Sequence, residues 1–163
     1  MLYYTGYTVS FQEVPDEVSL VILVADCPYR CPGCHSPDLW KPEGNDLEHD
    51  ILTLISEYQD VITCVCLMGD GQDDKALSHC ANIITEHGFK SAIYTGGNEQ
   101  HGLELALMFD YVKYGPYIAE LGGLDSPSTN QHMIHVTSRF PDMCGLPRGI
   151  DFEDITWKFR HKI

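Results

Sequence analysis

Apolar runs without alternation take turns along this chain with segments of helical spacing. Residues 7–12 alternate and are β-prone, and Val14-Pro15-Asp16-Glu17 reads as a turn. Residues 19–25 are continuously apolar after Ser19, the pattern of a strand buried on both faces. Asp46 suits an N-cap, and Leu47, Ile51, Leu54, Ile55 and Tyr58 follow at helical spacing. Residues 61–68 are a second buried strand, in which Cys64 and Cys66 share a face and read as small hydrophobes. Residues 73–87 are helical through Leu77, Cys80, Ile83 and Ile84, with Gly88 as the stop. Residues 91–95 predict a third strand, 99–108 a short helix, and 111–114 a fourth strand ending at Gly115-Pro116. Residues 134–137 add a further strand, and 155–159 a terminal strand or an extended tail.

Strand, loop and helix repeated about four times imply βαβ units and a mainly parallel sheet. At 163 residues the chain is a single domain, 1–163. A full barrel of eight repeats takes about 250 residues, so the expected fold is α/β, a partial, open (βα) barrel. In such folds the loops at the carboxyl ends of the strands carry the chemistry.

Charge and cysteine usage narrow the setting. The formal net charge of −14 disfavours nucleic acid and acidic membranes and favours a protein partner or a small ligand. No apolar run approaches a membrane span, so a soluble protein is expected. Seven Cys, odd in number and clustered, fit a reducing cytosol and a cytoplasmic location.

One cluster holds the candidate chemistry. Ala25-Asp-Cys-Pro-Tyr-Arg-Cys-Pro-Gly-Cys-His35 places Cys27, Cys31 and Cys34 in a C-x3-C-x2-C array directly after the first buried strand. Three thiols so close can converge at low loop-closure cost. A zinc site would need His35 as its fourth ligand, with adjacent Cys34 and His35 on one tetrahedral ion, which is awkward. Cys31-Pro-Gly-Cys34-His35 spells the haem c pattern, yet the N-terminus does not resemble a signal peptide. A Cys31–Cys34 redox pair leaves Cys27 without a role. An iron–sulfur cluster on three thiolates, one iron open to a non-protein ligand, uses all three. The turn Gly69-Asp70-Gly71 falls at the end of the second buried strand, on the same rim. Its glycines read either as ligand contacts or as ordinary tight-turn residues.

The C-x3-C-x2-C spacing resembles the signature of radical S-adenosylmethionine (radical SAM) enzymes, and Gly69-Asp70-Gly71 resembles a variant of their Gly-Gly-Glu or Gly-Gly-Asp motif. Further segments sharpen this: Gln12-Glu13-Val14-Pro15, Ser36-Pro37-Asp38-Leu39-Trp40, Tyr94-Thr95-Gly96, Lys113-Tyr114-Gly115-Pro116-Tyr117 and Ser128-Thr129-Asn130-Gln131. Together, from about Tyr7 to Val136, they resemble the activating proteins of anaerobic (class III) ribonucleotide reductase.

That resemblance implies a radical SAM oxidoreductase with two cofactors, a 4Fe-4S cluster and S-adenosylmethionine. It implies cluster ligation by Cys27, Cys31 and Cys34. Gly33, Cys34 and His35 would lie beside the bound cofactor, and Gly69 and Asp70 at its amino-acid end. The implied activity is reductive cleavage of S-adenosylmethionine to make a glycyl radical on the reductase. An electron would come from a flavodoxin- or ferredoxin-type donor. No catalytic acid or base is assigned, because the cofactor radical abstracts the hydrogen. Rival readings are an activase of another glycyl-radical enzyme, of formate-lyase type, and a non-enzymatic zinc or redox module. Asn130 and Gln131 read as cofactor or partner contacts or as a plain turn. Tyr29 and Arg30 shield the cluster or meet the donor. His49, His79, His87, His101 and His161 read as surface residues, and His132 and His135 as neighbours of the site.

Overall fold

The computed structural model describes residues 1–160; His161 lies outside the described residues. One open, eight-stranded sheet runs in the order β3-β1-β2-β4-β5-β6-β7-β8. Its strands are β1 (Tyr3–Ser10), β2 (Ser19–Val24), β3 (Asn45–Asp46), β4 (Cys64–Met68), β5 (Lys90–Tyr94), β6 (Tyr111–Tyr114), β7 (His132–Pro141) and β8 (Pro147–Asp154). Three helices, α1 (Leu47–Tyr58), α2 (Asp74–Glu86) and α3 (Glu99–Leu105), follow β3, β4 and β5. Asp46 caps α1 by accepting from the Glu48 amide, and Asp73 caps α2 by accepting from that of Ala76.

The sheet is mixed rather than mainly parallel. The central strands β2, β4, β5 and β6 pair in parallel. The four outer pairings, β1 with β2 and β3, and β7 with β6 and β8, are antiparallel. For two of these pairings the reason is connection length: residues 11–18 join β1 to β2 and residues 142–146 join β7 to β8, both too short for a parallel crossover. Strand β8 was not expected, and β7 runs from His132 to Pro141 rather than over 134–137 alone. Residues 155–159 are not a strand or a tail; Thr156–Phe159 is a 3-10 turn packed on the sheet.

Side-chain alternation divides the central strands between two cores. Leu20, Ile22, Val65, Leu67, Ile93 and Val112 face all three helices, meeting Leu47 and Ile51 of α1, Leu77 and Ile84 of α2, and Leu105 of α3. Val21, Cys64, Cys66, Ala92 and Tyr111 face the other way and are covered by Val14, Met133, Ile155 and Phe159. Cys64 and Cys66 therefore act as small core residues, and burial pushes the Cys64 thiol up to about 12 and that of Cys66 well above its ordinary value. No helix of the described residues is long and apolar enough to cross a membrane.

Phe109, fully buried where the chain leaves α3 for β6, anchors the helix-side core. Phe109→Ala is expected to cost about 3–5 kcal/mol of stability. Urea unfolding should show a lowered midpoint with an unchanged slope.

Candidate functional site

Because β2, β4, β5 and β6 are parallel, their carboxyl ends share one rim. The Cys loop follows β2, Gly69-Asp70-Gly71 follows β4, Thr95-Gly96-Gly97 follows β5 and Gly115 follows β6. Between these turns lies a cavity of about 350 Å³. Cys27, Cys31 and Cys34 all line it, with His35, Gly69 and Lys113.

The loop holding the thiols is tied at both ends. The Asp26 and Cys27 amides donate to the carbonyls of Lys41 and Leu39 at 3.1 and 3.0 Å. Within it the Cys34 amide donates to the Cys31 carbonyl at 3.1 Å, closing a turn in which Gly33 has φ +74°. Gly33 thus shapes the loop, whereas Cys34 and His35 line the cavity, the His35 ring 5.0 Å from that of Tyr117. Backbone amides are aimed at the sulfurs. Burial pushes the Cys27 thiol up, while hydrogen bonds from the Tyr29 and Arg30 amides pull it down. The Ser36 amide donates to Cys34 Sγ at 3.4 Å. Among the described residues no group of three His, Cys, Asp or Glu side chains is arranged to hold a single metal ion. A donor set of three thiols with amide hydrogen bonds to two of the sulfurs is chemically suited to an iron–sulfur cluster, whose potential such bonds tune.

Lys113 forms part of the cavity wall. Its Nζ donates to the Gly115 carbonyl at 3.1 Å, and Gln131 Nε2 donates to the same oxygen at 3.3 Å. Burial pulls the Lys113 ammonium down to about 8, opposed by negative charge on Cys31, Cys27, Cys34 and Asp70. A lysine on the otherwise apolar strand 111–114 is the signal that marks it in the sequence; Trp40 and Tyr117, which also line the cavity, stand out only as the last residues of the Ser36–Trp40 and Lys113–Tyr117 segments.

Asp70 is buried and turned toward its neighbours on the rim rather than among the cavity-lining residues. Its Oδ2 accepts from Thr95 Oγ1 at 2.7 Å, His101 Nε2 at 2.8 Å and the Tyr29 hydroxyl at 3.2 Å. His101, read from sequence as a surface residue, is partly buried in this network, because α3 turns it back over the rim. Gly96 and Gly97 make room for it: a Cβ on Gly96 would lie 2.9 Å from the Tyr29 ring, and one on Gly97 2.5 Å from the His101 ring. At Gly69, which does line the cavity, φ is +115° and a Cβ would come within 3.0 Å of the Val24 carbonyl.

The other sequence candidates lie around this centre. Gln131 lines the cavity, while Asn130 Nδ2 ties the next turn by donating to the Pro116 carbonyl at 3.0 Å. His132 stacks on Tyr114 and bonds Asp154, and His135 stacks on Tyr111; neither lines the cavity. Arg30 is exposed on the loop, whereas Tyr29 is committed to Asp70.

Comparison with family models, with curated proteins and with solved structures finds no match to this chain.

The Lys113 shift sets a pH dependence. Its folded-state value lies below the ordinary 10.5, so between about 8 and 10.5 the unfolded chain holds a proton that the folded chain has released. Stability must then rise with pH across that window. Metal-free wild type is expected to gain stability relative to Lys113→Met over that range in paired urea titrations, and parallel curves would refute it.

Proposed function

We propose that this chain is a radical SAM enzyme. Cys27, Cys31 and Cys34 would hold a 4Fe-4S cluster, and S-adenosylmethionine would bind beside it against Cys34, His35 and Gly69. More particularly, it is an activating enzyme of anaerobic ribonucleotide reductase, and it generates the glycyl radical on that partner. The observation that carries this reading is that the three thiols line one cavity at the carboxyl end of a central parallel strand, with Gly69 and Lys113 on the same wall. The bound cluster and cofactor supply one-electron hydrogen abstraction; the chain supplies binding, orientation and access.

Several features support the assignment. All three helices pack on one face of the sheet, the arrangement an open (βα) barrel requires, so a partial barrel of radical SAM type is the fold reading that goes with it. On the opposite face the cavity adjoins a second depression of about 530 Å³, the two sharing Met68, Tyr94 and Leu124. An activase must admit a loop of another protein, and an adjoining groove gives that loop a path. Lys113 lines the cavity with the three thiols, where thiolate charge would favour its protonated form. Asp70, bonded to Thr95, His101 and Tyr29, bears on the amino-acid end of the cofactor only through Gly69 and the turn it holds. The setting is cytoplasmic, with a flavodoxin- or ferredoxin-type protein as the electron donor.

Anaerobic reconstitution with iron and sulfide, dithionite reduction and assay for 5'-deoxyadenosine tests the proposal. Wild type is expected to turn brown and cleave S-adenosylmethionine, and Cys31→Ala to lose the cleavage by several orders of magnitude. A colourless wild-type protein holding zinc, with no cleavage, would overturn it.

A further inference from the structure

We infer that Asp70 is a positioning residue for the thiol loop, acting through Tyr29. The sequence pattern puts Asp70 in a turn suited to touch a ligand, but its geometry serves another purpose. Tyr29 lies between Cys27 and Cys31, and its hydroxyl crosses from the loop after β2 to the turn after β4 to reach Asp70 Oδ2. The ring lies against the turn after β5, where a Cβ at position 96 would come 2.9 Å from it. Thr95 Oγ1 bonds the same carboxylate oxygen and accepts from the Gly97 amide at 3.0 Å, and His101 Nε2 closes the set. A carboxylate only accepts, so Nε2 carries the proton in that bond. The carboxylate thus joins three rim turns and the start of α3 at one buried oxygen.

A second strut runs parallel to it. Gln72, two residues past Asp70, donates from Nε2 to Asp26 Oδ1 at 2.8 Å and to the Asp26 carbonyl at 3.3 Å. Asp26 has φ +62° and Arg30 has φ +46°, conformations uncommon for residues with a side chain. The loop between these two residues needs outside support, and the turn after β4 supplies it at Asp26 through Gln72 and at Tyr29 through Asp70. Among the described residues Asp70 Oδ1 is buried without a partner, so the group's bonding to them is concentrated in Oδ2.

The inference rests on the proposed function only in taking the three thiols as the working groups; the order of the loop is a property of the protein without iron. The cysteines themselves report on it. Cys144 is exposed, Cys64, Cys66 and Cys80 are buried, and Cys27, Cys31 and Cys34 lie between. Iodoacetamide alkylation of the intact, iron-free chain, resolved by mass spectrometry, therefore gives a loop rate, a core rate and an exposed reference at once.

Tyr29→Phe leaves the Asp70 charge in place, so any change in rate reflects loop order and not thiol ionisation. It is expected to speed alkylation of Cys27 and Cys31 roughly tenfold, the loss of one charge-assisted bond, with Cys144 unchanged and the three core thiols still protected. Asp70→Ala should act at least as strongly. Asp70→Asn, which keeps an acceptor oxygen for Tyr29 and Thr95, should restore rates to within about threefold of wild type. Unchanged loop rates in Tyr29→Phe and Asp70→Ala would overturn the inference, as would acceleration in which Cys64, Cys66 and Cys80 rise together with the loop. Normal loop rates in a protein that fails to cleave S-adenosylmethionine would instead count against the proposed function.

Discussion

The register of the four parallel strands is the constraint on which the site depends. Leu23 pairs with Met68, Met68 with Tyr94, and Tyr94 with Lys113, so one residue from each strand stands in a single row at the rim. Met68, Tyr94 and Lys113 of that row line the cavity on the helix-free side. A slip of one residue in any pairing would turn that strand's member of the row, Leu23, Met68, Tyr94 or Lys113, toward the helices. Apolar burial on both faces is what forbids the slip. Each strand has one set of side chains fitted to the helices and another fitted to Val14, Met133 and the Thr156–Phe159 turn.

Much of this was legible in the sequence because the central strands are continuous apolar runs and the helices carry clear caps. Residues 19–24 and 111–114 fall in strands where the pattern placed them, and Asp46 caps α1 as its position suggests, whereas Asp73, expected inside the second helix, is its cap. The outer strands were not legible as a hairpin. Strand β8 reads Pro147-Arg-Gly-Ile-Asp-Phe-Glu-Asp154, with few apolar positions, because it is an edge strand with little to bury. A parallel sheet was over-predicted for the same reason: the helical segments announce crossovers, whereas a hairpin announces itself only by a turn such as Asp142-Met-Cys-Gly145.

At the site, residue type revealed the ligating groups but not the supporting ones. Three cysteines in eight residues are conspicuous on any reading, and their convergence on one cavity follows from the strand that precedes them. Asp70 was conspicuous too, but sequence cannot show which way a carboxylate points; Tyr29, Thr95 and His101 come from separate segments and meet it only in the fold. Gly96 stands in the sequence only as part of Tyr94-Thr95-Gly96, and its lack of a side chain is what seats Tyr29. His101 had no mark at all, since nothing in a short polar helix distinguishes a histidine turned inward from one in water.

The charges explain why a lysine belongs on strand β6. In a chain of net charge −14, three cysteines and a buried carboxylate converge beside one cavity, and among the described residues Lys113 is the one lysine or arginine lining it. Burial dominates and holds its ammonium down to about 8. Ionised thiols act in the opposite direction, since Cys31, Cys27 and Cys34 each favour the charged amine. The two ionisations are therefore linked: whatever makes the thiols anionic holds Lys113 protonated, and a protonated Lys113 lowers the cost of three adjacent thiolates. Any thiolate-binding metal centre would draw on that reciprocity, because metal binding to cysteine is a competition with protons. Replacing Lys113 by a neutral side chain would remove the desolvation penalty from the metal-free protein and the compensation from the thiolate state together. The lysine thus costs stability when the thiols are neutral and returns it when they are charged.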